Sequence, residues 1–143
     1  MPDKTIEPEN AVLIEQIIDD WMSDKEKILS LLAEDCTYVV GTGRAGVVPF
    51  YGTFRGREGV QQFFRLHDAA QVTVRCMKPP PARYALANDK VVVSGVSTYR
   101  ILKTGKTYES YWVLIWRMSA GRIAGLHFLF DDEVLEAQYR TTS

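Results

Sequence analysis

Histidine and cysteine are the residue types with which this chain could do chemistry near neutral pH, and it has two of each. His67 falls on the apolar face of a segment with helical periodicity. It is therefore either a packed side chain hydrogen-bonded to a neighbour or the acid/base group of a pocket. His127 falls at an outward position of a predicted strand, where a surface or contact role is favoured. Cys36 and Cys76 have no Cys-x-x-Cys spacing and are expected to be reduced, largely buried thiols.

The sequence offers no pattern for a metal or a bound cofactor. The two histidines lie far apart in the chain, so they favour no shared metal site. Gly41 and Gly43 flank a single turn and lack the spacing of a phosphate-binding loop. Ser94, Ser97 and Ser110 lack the glycine-flanked turn that presents a nucleophile. We therefore expect no metal and no cofactor.

The composition excludes several classes of partner. The chain has 143 residues, with 17 basic and 18 acidic side chains and a net charge of −1, so there is no basic field for nucleic acid. No stretch reaches the ~20 apolar residues of a membrane helix, and the polar N-terminus does not resemble a signal peptide. We predict a cytoplasmic protein with a flexible segment over 1–9, one domain over 10–137 and a tail over 138–143.

Three helices are predicted in the first half of the chain from apolar residues at helical spacing. The first spans 10–22. The second begins at Asp24, behind a capping-box pattern, and includes Leu31 and Leu32. The third spans 56–68.

After Ala70 the periodicity changes to two, which is typical of strands. Turns short enough for hairpins separate the last three predicted strands. The sequence thus predicts an α+β fold in which three helices pack against a strongly bent antiparallel sheet. The predicted strands span 36–40, 71–77, 83–87, 90–102, 106–118 and 122–131.

The strand predicted over 106–118 is apolar on both faces, since Tyr111, Val113 and Ile115 alternate with an equally apolar set. Three helices cover only one face of the sheet. The second face therefore meets another copy of the chain in a homodimer, or stays exposed in a monomer with an apolar surface.

Three segments along the chain carry a family resemblance, namely 31–38, 51–60 and 121–131. In this order they resemble the SnoaL-like group of the nuclear transport factor 2-like superfamily, over about residues 10–137. The resemblance implies a cone, in which helices close one side of a bent sheet and the enclosed cavity binds a ligand. It also implies a homodimer through the outer face of the sheet.

The resemblance implies that the usual chemistry of two relatives is missing. Ketosteroid isomerases need a carboxylate base and a second acid at positions that match Val40 and Leu114, and hydrocarbon side chains transfer no proton. Of the residues with which limonene-epoxide hydrolases activate water, only Tyr38 is matched. The unmatched positions hold Val40, Gly95, Ser97 and Phe128.

The same resemblance predicts an aromatic, apolar cavity with a few hydroxyls and one imidazole. Tyr38 either orients a ligand or fills the neck of the cone. Asp131 either is an exposed acidic cap of the C-terminal segment or turns into the cavity mouth to pair with His67 or Tyr38. The predicted lining consists of Tyr38, Val40, Phe64, His67, Gly95, Ser97, Tyr99, Ser110, Trp112, Leu114, Trp116, Leu126, Phe128 and Phe130.

Two functions remain open at this point. The first is a binding module that holds a small hydrophobic molecule in the aromatic cavity without transforming it. The second is a cofactor-independent enzyme that uses His67 with Tyr38 or Asp131. Such an enzyme would be a non-redox isomerase, a cyclase, a dehydratase or an epoxide-hydrolase-like protein.

Overall fold

A computed structural model of the chain describes residues 25–77, 83–87 and 90–140. The predicted helix over 10–22 and the first residues of the capping box lie outside the described residues. Three helices are described, and two of them correspond to predicted ones. They are α1 (Lys25–Ser30), α2 (Gly56–Ala70) and α3 (Asp132–Arg140).

Seven strands form one sheet in the order β2-β1-β7-β6-β5-β3, and β4 also pairs with β5. Neighbouring strands are antiparallel except β1 and β7, which run parallel. The predicted α+β fold is confirmed, with a mixed sheet in place of a purely antiparallel one. The strands are β1 (Leu32–Val40), β2 (Gly52–Arg55), β3 (Gln71–Met77), β4 (Arg83–Ala87), β5 (Lys90–Ile101), β6 (Thr107–Ser119) and β7 (Arg122–Phe130).

Helix α2 covers one face of the sheet, where it contacts β1, β2 and β3. Its buried side is formed by Val60, Phe63 and Phe64, at the helical spacing that the sequence shows. The helix ends without a loop, because Gln71 is already extended and its backbone N–H donates to the carbonyl of His67. This direct helix-to-strand junction places the side chains of the last helical turn beside the start of β3.

The prediction that Leu31 and Leu32 belong to a helix was wrong. Helix α1 stops at Ser30, and Leu32 pairs with Ile123 in the parallel ladder between β1 and β7. The backbone N–H of Ile123 donates to the carbonyl of Leu31 at 2.9 Å. The two leucines fit the helical spacing, but their backbone pairs with β7 instead. This pairing depends on a strand that is distant in the sequence, so local periodicity does not reveal it.

Helix α3 was not predicted, and it extends to Arg140, beyond the predicted end of the domain at 137. Leu135 and Tyr139 lie one turn apart on its face and are both buried. The ring of Tyr139 packs edge-on against Phe50, with ring centroids 5.8 Å apart. The C-terminal segment is therefore part of the core.

The two cysteines differ in their surroundings. Cys36 is buried, as expected, and burial raises the pKa of its thiol. Cys76, on the edge strand β3, is exposed, contrary to the expectation. Both thiols are free.

Ala120 is expected to be a poor residue for the hairpin between β6 and β7. It has φ 51° and is followed by Gly121 at φ 75°, so both central residues of this two-residue turn are left-handed. Asn tolerates this conformation better than Ala, so Ala120→Asn should stabilise the protein by about 0.5–1 kcal/mol. Urea unfolding would show a higher midpoint at an unchanged slope. Ala120→Val is the control with the opposite expected effect, a loss of stability. A stabilising effect of valine would contradict the left-handed conformation of residue 120.

Candidate ligand-binding site

A cavity of about 230 Å³ opens at the junction between α2 and β3. Its size is near the lower end of small-molecule pockets, about 300 Å³. Apolar rings form one part of the wall and polar side chains the other, as in sites that hold and orient a small ligand. The lining consists of Lys25, Phe63, Phe64, His67, Asp68, Gln71, Val72 and Thr73.

Gln71 lies at the centre of a buried polar network behind this wall, and its side chain is only 1% exposed. Its Oε1 accepts hydrogen bonds from the hydroxyls of Tyr108 and Tyr139, the latter at 2.6 Å. Burial raises the pKa of both tyrosines, so both hydroxyls keep their protons. The two donors come from β6 and α3, which the fold brings to the end of α2.

The Nε2 atom of Gln71 lies 3.2 Å from Nε2 of His67. Because Oε1 of this amide accepts from the two tyrosines, the group facing His67 is the amide N–H donor. Nε2 of the imidazole is therefore the acceptor, and the proton of the neutral ring is on Nδ1. This tautomer follows from the neighbours of Gln71 rather than from any property of His67 alone.

Asp68 binds the other nitrogen of the imidazole. Its Oδ1 lies 3.5 Å from Nδ1 of His67, and its Oδ2 lies 3.3 Å from Nζ of Lys25. The hydrogen bond from His67 lowers the pKa of Asp68, and the charge of Lys25 adds to this effect. Asp68, His67 and Gln71 thus form a chain from the surface to the buried tyrosines.

Asp131, which was predicted as a possible partner of His67 or Tyr38, forms no hydrogen bond or ion pair with either of them in the described part of the chain. Its Oδ1 accepts from the backbone N–H of Val134 at 3.3 Å. It therefore caps helix α3, whose first N–H groups lack partners within the helix. Asp68 takes the place beside His67 that was expected for Asp131.

Tyr38 is fully buried between β1 and α2, with its ring edge against Phe63 at 6.2 Å between centroids. Its hydroxyl has no hydrogen-bond partner among residues 25–77, 83–87 and 90–140. Burial raises its pKa, so the hydroxyl stays protonated. The structure thus keeps Tyr38 apart from the His67 network.

Replacing the hydroxyl of Tyr38 is expected to stabilise the free protein. A buried hydroxyl without a partner costs free energy, so Tyr38→Phe should raise the free energy of unfolding by about 1 kcal/mol. Tyr51→Phe is the matched control, because the Tyr51 hydroxyl donates to Oδ1 of Asp132 at 2.6 Å and its loss should destabilise. Urea unfolding measures both variants. A destabilised Tyr38→Phe would show that this hydroxyl has a partner.

The other side chains of the predicted lining are buried on a single face of the sheet, behind the cavity wall. Ser97 accepts from the indole N–H of Trp112 at 2.8 Å, and Ser110 accepts from the backbone N–H of Asp131 at 3.2 Å. Both hydroxyls are therefore occupied within the protein. These buried side chains are Val40, Ser97, Tyr99, Ser110, Trp112, Leu114, Trp116, Leu126, Phe128 and Phe130.

Of the predicted lining, only Phe64 and His67 belong to the wall of the 230 Å³ cavity. Gly95, which has no side chain, is buried on the same face as the others. Tyr99 links the side chains of the cavity wall to those buried behind it, since its ring centroid lies 6.5 Å from that of His67. The aromatic face thus continues from the cavity wall into the core.

Gln71 was missed by sequence reasoning. The only local signal is its place as the first residue of the predicted strand 71–77, directly after the helix that carries His67. Its two tyrosine partners lie far away in the sequence, so no local pattern reveals that this glutamine is buried.

Metal binding and membrane insertion find no support in the described part of the chain. Residues 25–77, 83–87 and 90–140 contain no cluster of three His, Cys, Asp or Glu side chains placed to hold a metal ion. None of the helices within these residues has the length and apolar character needed to cross a bilayer.

Structures with this fold are nuclear transport factor 2-like (NTF2-like) proteins. An NTF2-like protein from Burkholderia xenovorans LB400 shares 23% identity at a TM-score of 0.74, with 94% of this chain and 96% of that chain covered. TerC, co-crystallised with polyporic acid, shares 24% identity at a TM-score of 0.71 over 92% and 98% of the chains.

A hypothetical protein from Catenulispora acidiphila DSM 44928 has a ketosteroid isomerase-like fold and was crystallised with trimethylamine. It shares 18% identity at a TM-score of 0.63, with 87% of this chain and 85% of that chain covered. At these identities the similarity defines the class of fold.

The chain belongs to the SnoaL-like domain family, whose sequence profile matches residues 16–126. This membership confirms the resemblance seen in the sequence. No curated protein matches the sequence significantly.

Proposed function

We propose that the chain binds a small apolar or aromatic molecule in the cavity at the α2–β3 junction. The observation that carries this proposal is the composition of the cavity wall. Phe63 and Phe64 offer ring surfaces for stacking, while His67 and Gln71 offer polar atoms that orient one end of a ligand. TerC and the Catenulispora protein were each crystallised with a small molecule, which supports the proposal.

Binding without conversion is the function that the buried residues favour. Val40 and Leu114 stand where the resemblance places the acid and base of the isomerases, and both are buried hydrocarbon side chains. They cannot transfer a proton. The ligand that we propose is therefore held and released unchanged.

The test is a native mass spectrometry screen of small aromatic and alicyclic compounds, followed by calorimetric titration of those that bind. We expect at least one compound to bind at a ratio of one per chain. Phe64→Ala, on the cavity wall, should weaken it about tenfold, because a large apolar contact is lost. Leu102→Ala is the control, since this residue is 48% exposed in the turn after β5. If no compound binds, or if both variants weaken binding equally, the proposal is overturned.

A second candidate function is the cofactor-independent enzyme, which the orientation of His67 favours. A histidine held by a carboxylate on one nitrogen is the arrangement of many general bases, and Asp68 provides it here. Nε2, the atom that would take the proton, accepts from Gln71 in the free protein, so a substrate would have to displace this amide. We would test turnover of cyclic ketones and epoxides by the wild type and by His67→Gln. Loss of turnover with retained binding would support the enzyme, and absence of turnover in the wild type would reject it for these substrates.

We also propose a homodimer through the outer face of the sheet. Tyr111 is 49% exposed there, and Val113 and Ile115 on the same face are half-buried. Light scattering on the eluted protein should give about twice the 16.2 kDa of one chain. Ile115→Lys should lower the measured mass to that of one chain, whereas Leu102→Lys, at the exposed turn, should leave the mass unchanged. A monomeric wild type would overturn this proposal.

A further inference from the structure

The side-chain amide of Gln71 has four hydrogen-bonding positions, and the described residues use three of them. Its carbonyl oxygen has two lone pairs, which accept from Tyr108 and Tyr139. One of its two N–H groups donates to His67. The second N–H has no partner among the described residues.

This remaining N–H belongs to a side chain that is almost fully buried and lines the cavity. A buried donor without an acceptor is unfavourable, so an acceptor on a ligand would be bound preferentially. The two tyrosine donors also polarise the amide, which strengthens its N–H groups as donors. They hold the amide in one orientation, so that little ordering is needed when a ligand binds.

We infer that Gln71 is a specificity-determining residue that donates a hydrogen bond to an oxygen acceptor on the ligand. The inference rests on the proposed binding function and narrows the ligand to an apolar ring compound that carries a carbonyl oxygen. Its ring stacks against Phe63 and Phe64 while the oxygen faces Gln71. His67 accepts rather than donates at Nε2, so it does not compete for this oxygen.

A pair of probes that differ by one oxygen tests the inference. 1-Tetralone is a ketone with an acceptor and no donor, and tetralin is the same ring system without the oxygen. We expect the wild type to bind 1-tetralone roughly 3- to 10-fold more tightly than tetralin, the range for one net hydrogen bond. Water solvates the ketone better than the hydrocarbon, so a site without a donor should bind 1-tetralone more weakly than tetralin, and weaker binding of the ketone would overturn the inference.

Variants assign the effect to Gln71. Gln71→Met keeps the length of the side chain and removes the donor, so 1-tetralone should lose its advantage while tetralin still binds. Gln62→Met, at an exposed position of the same helix, is the matched control and should keep the preference. A preference that survives in Gln71→Met would overturn the inference.

A measurement on the unaltered protein covers the case in which Gln71→Met does not fold. In an ¹⁵N-labelled sample, a side-chain amide proton of Gln71 should shift further downfield on adding 1-tetralone than on adding tetralin, because only the ketone accepts its hydrogen bond. Equal binding of both probes with no such shift would overturn the role of Gln71 and leave the proposed function intact. If neither probe binds and the wider screen finds no ligand, the proposed function itself fails.

Discussion

Gly41→Ala is expected to destabilise the protein by about 2–5 kcal/mol. Gly41 has φ +61°, a left-handed conformation that costs an alanine about 1–2 kcal/mol. A Cβ at this position would also overlap the ring of Tyr51. Relieving such an overlap in a packed core costs about 1–3 kcal/mol more.

The ring of Tyr51 has little freedom to move away from residue 41. It is buried, its hydroxyl donates to Asp132 at 2.6 Å, and it stacks on Phe130 with ring centroids 6.1 Å apart. The backbone N–H of Gly41 is itself fixed by the carbonyl of Phe128 at 2.8 Å. The clash is therefore not removed by a small rotation.

Urea unfolding followed by circular dichroism measures the loss. Gly105→Ala is the matched control, because Gly105 has φ +74° and a Cβ there would meet nothing within 4 Å. It should lose only the conformational part. Tyr51→Leu in the Gly41→Ala background should recover part of the loss if the ring is its cause. Equal losses in Gly41→Ala and Gly105→Ala would contradict the close approach.

Tyr139→Ala is expected to cost about 3–5 kcal/mol, the usual range for truncating a buried aromatic side chain. Tyr139 contributes its ring to the contact with Phe50 and its hydroxyl to the network of Gln71. Tyr139→Phe separates the two, since it keeps the ring and should lose about 1 kcal/mol for the hydrogen bond.

The same unfolding experiment includes Arg140→Ala as its control. The Arg140 side chain is 67% exposed and its ion pair with Glu136 spans 3.9 Å, so truncating it should change stability by less than about 0.5 kcal/mol. If Tyr139→Ala were as mild as Arg140→Ala, helix α3 would not be docked in solution as the structure has it.

Periodicity predicted the parts of the fold in which burial alternates along one element. The apolar spacing of Val60, Phe63 and Phe64 indicates the buried side of α2, and the structure buries all three. The two-residue alternation in β6 placed Trp112 and Trp116 on one face of the strand, the family resemblance made that face the inner one, and both side chains are buried. Such patterns can be recognised within one segment, because the spacing of apolar residues in a helix or strand indicates the buried side of that same element.

The missed features depend on partners that are distant in the sequence. Helix α3 is mostly polar, and only the spacing of Leu135 and Tyr139 points to a buried side. Leu32 joined β1 because β7 offers it a backbone partner. Gln71 became the centre of the candidate site because a strand and a helix from the end of the chain bring tyrosines to it. None of these partners is visible from the segment itself.

The parallel pairing of β1 with β7 bears on how the protein is made. This pairing sets Thr37 opposite Gly125. Strand β1 is therefore synthesised well before the strand with which it pairs. Until then one edge of β1 has no partner, and an open strand edge can pair with other chains. Such distant pairing is also slow to form. We expect the nascent chain to complete its sheet only after β7 has been synthesised and to depend until then on cellular protection against aggregation.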